Sequence, residues 1–147
     1  MPQDQRKPLP HQRQRLLTLT LPLALTVALA LIALGAWAAW LGWDQTRDVH
    51  PDGSTTGPYE AWQVIGLFLT VLAPLYWAAS RRHLVAAVLG IPIGLTIAAY
   101  LDWSDDASGL FLIGTALTLL GSLTATGITT AVITATTRKG PHSRAGN

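Results

Sequence analysis

Cysteine is absent from the chain. That excludes disulfides, thiol redox chemistry and thiolate metal sites. Charge is nearly as scarce. Asp, Glu, Lys and Arg together make 12% of the residues, about half the roughly 25% of a soluble domain. The scarcity is patterned, because no such residue occurs from Leu16 to Trp43, Ala61 to Ser80, Leu84 to Leu101 or Ala107 to Thr137. A helix needs about 20 apolar residues to cross a hydrocarbon core about 30 Å thick. A soluble core does not need four such runs. The pattern predicts an all-α integral membrane bundle of four transmembrane helices, built as one domain of 147 residues.

Histidine is missing from the four runs as well. Proton-coupled transporters hold their proton on an ionisable residue inside the membrane, and none is available here. Small multidrug transporters are also short four-span chains, but they use a glutamate in the first span, which this chain lacks. Paired intramembrane histidines for haem are missing. HExxH, GxSxG and the P-loop do not occur. The expectation is a protein that is not an enzyme and has no cofactor, no metal and no nucleic-acid partner. Its first partner is the lipid bilayer.

The charges that are present divide by position. The two termini and the Arg81-Arg82 turn carry Arg6, Lys7, Arg13, Arg15, Arg81, Arg82, Arg138, Lys139 and Arg144, with Asp4 as their only acid. The other connections carry Asp44, Asp48, Asp52, Glu60, Asp102, Asp105 and Asp106, with Arg47 as their only base. Basic residues concentrate on the cytoplasmic side of membrane proteins. Ser80–His83 therefore reads as a cytoplasmic turn with Arg81 and Arg82 as its anchor, and both termini read as cytoplasmic. Residues 1–15 and 138–147 read as disordered basic tails, flanking spans at about 16–43, 61–80, 84–101 and 107–137. Ala36-Trp37-Ala38 fits a small-x-small cleavage pattern. The apolar stretch before it is longer than the usual 7–15 residues of a signal peptide, so the first span is expected to be retained.

Local signals sharpen the boundaries. Gly57-Pro58-Tyr59-Glu60 looks like a helix start, with Gly57 as cap and Pro58 as first helical residue. Ser104 looks like the cap of the fourth helix, with Asp105 and Asp106 in its first turn. Trp37, Trp40, Trp43, Tyr59, Trp62, Tyr100 and Trp103 fall near one membrane boundary, and Tyr76 and Trp77 near the other. Such belts anchor helices at interfaces. The sharper alternative is a stacking surface for an external ligand.

Three features can carry function. Ala86, Gly90, Gly94 and Ala98 place small residues on one face of the third span, including a GxxxG, which permits close helix packing. The partner of that face is another helix of the chain or another subunit. The first span repeats the theme at heptad spacing with Ala28, Gly35 and Gly42. Thr115, Thr118, Ser122, Thr126 and Thr129, continued by Thr136, form a hydroxyl stripe on the fourth span. It lines a polar path, or its hydroxyls simply bond their own helix at i−4. Asp102, Asp105 and Asp106, joined by His50 and Asp52, are the one candidate ion cluster, of a kind that suits calcium or magnesium. A solvated acidic rim is the plainer reading, with Asp105 and Asp106 already explained as helix-start acids. Asp102 is the odd one, because an acid near a helix C-terminus is disfavoured. His83 reads as part of the basic turn, or as a lipid-headgroup contact.

The segment GPYEAWQVIG (Gly57–Gly66) and the Ala/Leu/Thr-rich spans resemble small, uncharacterised four-span membrane proteins of high-GC Gram-positive bacteria. The resemblance implies a multi-pass protein of the cell membrane and no activity. The functional expectation is a non-enzymatic subunit or scaffold that packs against membrane partners or itself. The alternative is a transport or channel component whose path is lined by the hydroxyls of the fourth span.

Overall fold

The computed structural model describes residues 11–43, 51–54, 57, 59–105 and 109–138, with side chains in the first helix at residue 18 and from residue 20 onward. It consists of α1 (His11–Trp40), α2 (Ala61–Ser80), α3 (Leu84–Trp103) and α4 (Phe111–Arg138). Each of the four holds a stretch long and apolar enough to cross a membrane. Successive helices run antiparallel. One end of the bundle therefore carries the Arg81-Arg82 turn, and the opposite end carries Trp40, Glu60 and Asp102.

Several boundaries differ from those the charge pattern suggests. α1 begins at His11, so residues 11–15 are helical rather than tail. Their Gln and Arg are good helix formers, and backbone bonding does not stop where hydrophobicity stops. α1 also ends at Trp40 rather than at residue 43. The Leu41 and Gly42 N–H groups both turn back onto the Trp37 carbonyl, at 2.8 and 3.2 Å.

Gly57 is not the cap of α2. Glu60 takes that position in extended conformation, and Gln63 completes a capping box. The Glu60 N–H donates to Gln63 Oε1 at 2.6 Å, satisfying a group that glycine would leave bare. Pro58 lies outside the described residues. Ser104 is not the cap of α4 either. It follows α3, which runs on to Trp103, and its hydroxyl donates back to the Leu101 carbonyl at 3.1 Å. α4 starts at Phe111, after Gly109 at φ 73°, rather than at residue 107. Asp105 thus sits in the connection, and Asp106 lies outside the described residues.

The turn between α2 and α3 is a Schellman motif. The His83 N–H bonds the Ala78 carbonyl at 2.9 Å, and the Arg82 N–H bonds the Ala79 carbonyl at 3.0 Å. Arg82 has φ 63°, the left-handed position that glycine usually fills. The His83 ring sits 6.0 Å from the Trp77 ring, supplying the side-chain contact that accompanies this motif.

α3 is the central helix. It packs most extensively on α1, then on α4, and also on α2. Among the described residues α1 and α4 do not touch, because α2 and α3 lie between them. The core is rich in alanine, with Ala33, Ala36, Ala78, Ala79, Ala86, Ala87, Ala98 and Ala99 all buried. Small side chains bring helix backbones close, which is how helices attract one another where lipid supplies no hydrophobic drive.

Candidate functional site

The α1–α3 contact is built on two glycines. A Cβ at Gly94 would overlap the Ala30 carbonyl and lie 2.9 Å from Ala30 Cα. A Cβ at Gly90 would lie 2.7 Å from Leu29 Cβ and 2.9 Å from the Thr26 carbonyl oxygen. Ala86 and Ala98, one turn to either side, are also buried. The small-residue face of α3 therefore meets α1 of the same chain.

At the far end of that contact lies a carboxylate among aromatic rings. Asp102, in the last turn of α3, accepts hydrogen bonds on Oδ2 from Trp37 Nε1 of α1 at 3.2 Å and from the Tyr59 hydroxyl. Trp103 Nε1 donates to the Tyr59 oxygen at 2.9 Å. The Trp37 ring meets Tyr59 and Trp103 edge to face, at centroid distances of 6.1 and 5.8 Å. Donors converging on the carboxylate explain why an acid is tolerated at a helix C-terminus, since bonds to a charged acceptor are stronger than neutral ones. The cluster joins α1, α3 and the segment leading into α2. Trp103 also lies against α4, where a Cβ at Gly114 would come within 2.9 Å of its ring. A cleft of about 230 Å³ opens beside Asp102, between Trp37 of α1 and Gly42 just beyond it on one side and Ala98 and Leu101 of α3 on the other.

A second aromatic group sits at the same end. Trp40 Nε1 donates to the Thr70 hydroxyl at 3.0 Å, and that hydroxyl donates to the Gly66 carbonyl at 2.8 Å. Trp40 covers Gly66 so closely that a Cβ there would lie 2.5 Å from its ring. Trp62 packs on Trp40 and Trp43 and donates to the Glu60 carboxylate. Gln63, fully buried, lies beneath this group. Sequence reasoning placed these rings in an anchoring belt and did not single out Gln63. Glu60-x-x-Gln63 is nonetheless the capping-box spacing.

The hydroxyl stripe of α4 is turned inward on its own backbone. Thr115 donates to Phe111 at 2.8 Å, Thr118 to Gly114 at 3.0 Å, Ser122 to Thr118 at 2.5 Å and Thr136 to Val132 at 3.1 Å. Thr126 is different. Its hydroxyl lies 2.8 Å from the Ser122 carbonyl of its own helix and 3.2 Å from the Val88 carbonyl of α3. Pro92 has no N–H, so the Val88 carbonyl four residues earlier has no helical donor. Thr126 supplies one from the neighbouring helix. Thr129 lines a groove of about 220 Å³ between α2, α3 and α4. Thr130, buried beside it in sequence, has a hydroxyl without a hydrogen-bond partner among the described residues.

The remaining acids do not converge with Asp102. Among the described residues, no three of His, Cys, Asp and Glu are placed to hold one metal ion. His50 lies outside those residues. Asp52 is engaged locally, accepting from the Ser54 N–H at 3.0 Å and the Ser54 hydroxyl at 2.6 Å. These bonds hold its carboxyl below the usual carboxylate value. At the opposite end Arg81, Arg82 and Arg138 are all exposed. Comparison with protein-family models, with curated proteins and with solved structures finds no match for this chain.

Proposed function

We propose that this chain is a small non-enzymatic subunit or scaffold of the cell membrane, with both termini cytoplasmic, which presents the outer face of α4 to a membrane partner or to a second copy. The observation that supports this reading is the unequal use of small residues. Those of α3 are consumed inside the chain. On α4, Leu120, Thr124 and Ala131 are exposed on one helical face with Gly127 between them, and a Cβ added at Gly127 would meet nothing within 4 Å. A helical glycine costs roughly 0.5–1 kcal/mol relative to alanine. No contact among the described residues returns that cost, whereas a partner helix approaching at Gly127 would.

The reading thus moves the contact from the third span to the fourth. Gly90 and Gly94 are already covered and are not available to a partner. The hydroxyl stripe gives little support to a transport path. The Thr115, Thr118 and Ser122 protons are directed to carbonyls of their own helix, so they offer few donors to a passing solute.

The test is native mass spectrometry of the full chain, extracted from its own membrane in mild detergent. A homo- or heteromeric mass that collapses to monomer in Gly127→Leu supports the reading. A monomer in both wild type and variant refutes it. Orientation has its own test. Because the chain has no cysteine, Ser54→Cys and Ser80→Cys each introduce a single thiol. An impermeant maleimide applied to whole cells should label the first and spare the second.

A further inference from the structure

The groove between α2 and α4 differs from the rest of the lipid-facing surface. It has a volume of about 220 Å³ and runs along Phe68, Val71 and Leu75 of α2, with Ile91 of α3 at its floor and Gly121 and Ala125 on the α4 side. A Cβ at Gly121 would meet nothing within 4 Å, so the missing side chain leaves room in the groove. The nearby Ser122 hydroxyl is bonded to a carbonyl of its own helix, and the Thr126 hydroxyl is shared between the Ser122 and Val88 carbonyls. The wall is therefore suited to hydrocarbon. The slot is too small for a helix, which is 10–12 Å across with its side chains.

Both helices that wall the groove finish in arginine at the same end. α2 is followed by Arg81 and Arg82, and α4 ends at Arg138. All three are exposed. The described acids, Asp52, Glu60, Asp102 and Asp105, belong to the opposite end, so no carboxylate among the described residues competes for these guanidiniums. Arginine matches phosphate in geometry as well as charge. At 1.5 Å per residue, Leu75 lies about 9 Å and Phe68 about 20 Å along α2 from Arg81. A hydrocarbon half-thickness of about 15 Å falls between those depths. A lipid with its phosphate at the arginines would lay the distal part of one chain in the groove.

We propose that this groove binds one acyl chain of an anionic phospholipid, from the leaflet that meets the Arg81-Arg82 turn, with Arg81, Arg82 and Arg138 holding its headgroup. The net positive charge at the mouth selects an anionic over a zwitterionic headgroup. This site is separate from the assembly face of α4. Gly121 and Ala125 lie on the opposite side of the helix from Gly127, so either reading can fail without the other.

The experiment reconstitutes the full chain in equal parts phosphatidylglycerol and phosphatidylcholine, extracts it in mild detergent, and counts retained lipid by native mass spectrometry. One phosphatidylglycerol per chain is expected, in preference to phosphatidylcholine. Each of Arg81→Gln, Arg82→Gln and Arg138→Gln should lower that preference about fivefold. Ala125→Phe, which fills the groove, should abolish retention while helicity is unchanged. Equal retention of the two lipids, retention that survives Ala125→Phe, or a lipid-free dimer would each overturn the proposal. A phosphatidylglycerol carrying a mid-chain diazirine tests the wild type without any substitution. Adducts confined to residues 68–75 and 121–129 support the site, and adducts elsewhere overturn it.

Discussion

α3 and α4 look alike as sequences and behave differently as helices. Both are apolar, uncharged through their spans and furnished with glycines. Yet 44% of the most apolar stretch of α3 is buried, against 11% for α4. Gly90 and Gly94 touch the backbone of α1, whereas Gly121 and Gly127 face open space. A small residue in a membrane helix is permission for close approach, and only the neighbouring helix decides whether the permission is used. α3 lies among three helices and uses it. α4 lies at the edge and uses it once, at Gly114, under Trp103.

The contrast is easiest to break at the glycines themselves. Gly94→Leu would drive a side chain into the Ala30 backbone. Its cost should be about 3 kcal/mol or more, at the top of the overpacking range, read as loss of resistance to denaturing detergent. Gly127→Leu should leave the stability of the monomer within about 1 kcal/mol of wild type, because leucine is the better helix former and has room. Equal losses in the two variants would show that α4 is packed as tightly as α3.

The end of α3 should be the next most sensitive. Asp102→Leu removes the acceptor of Trp37 Nε1 and the Tyr59 hydroxyl. A stranded donor costs about 1–3 kcal/mol, so the loss should fall near 2 kcal/mol. Asp102→Asn, which keeps an acceptor oxygen, should lose less. Quenching or shift of the tryptophan emission reports the disturbance directly.

Within α4 the hydroxyls divide in the same way. Thr126→Val should cost about 1 kcal/mol, the scale of an interhelical hydrogen bond in a membrane, because the Val88 carbonyl loses its donor. Thr118→Val and Ser122→Val should change stability by less than about 0.5 kcal/mol. Combining Thr126→Val with Pro92→Ala should restore the loss, since alanine returns the N–H to α3. The smallest effect belongs to the turn. Arg82→Gly relieves a left-handed residue and should gain up to about 1 kcal/mol in a detergent micelle.

The four helices were legible because charge is costly in hydrocarbon, so its absence over about 20 residues marks each stretch apolar enough to cross a membrane. The potential for close packing at Gly90 and Gly94 was legible for a related reason, since four small residues on one face leave the backbone bare. Which helix fills that face was not legible, because nothing in a local pattern encodes the register of a neighbour. The same limit hid the Asp102 cluster, whose members stand as far apart as residues 37 and 103. It also hid the service of Thr126 to the carbonyl freed by Pro92. The helix ends were misjudged at Gly57 and Ser104 for a different reason. Each is a plausible cap by identity, but Gln63 and the Leu101 carbonyl offered better hydrogen bonds.

The central position of α3 also sets an order of events during synthesis. α1 leaves the ribosome first, but its main partner begins only at Leu84. At about 5–20 residues per second, that interval of roughly 44 residues lasts several seconds. During this time α1 has only its limited contact with α2, and its glycine-accepting surface at Ala30 stands open. α3, which follows α2 through the Schellman turn, then closes that surface. A chain arrested before residue 84 would carry the exposed surface indefinitely, making it a marked substrate for quality control.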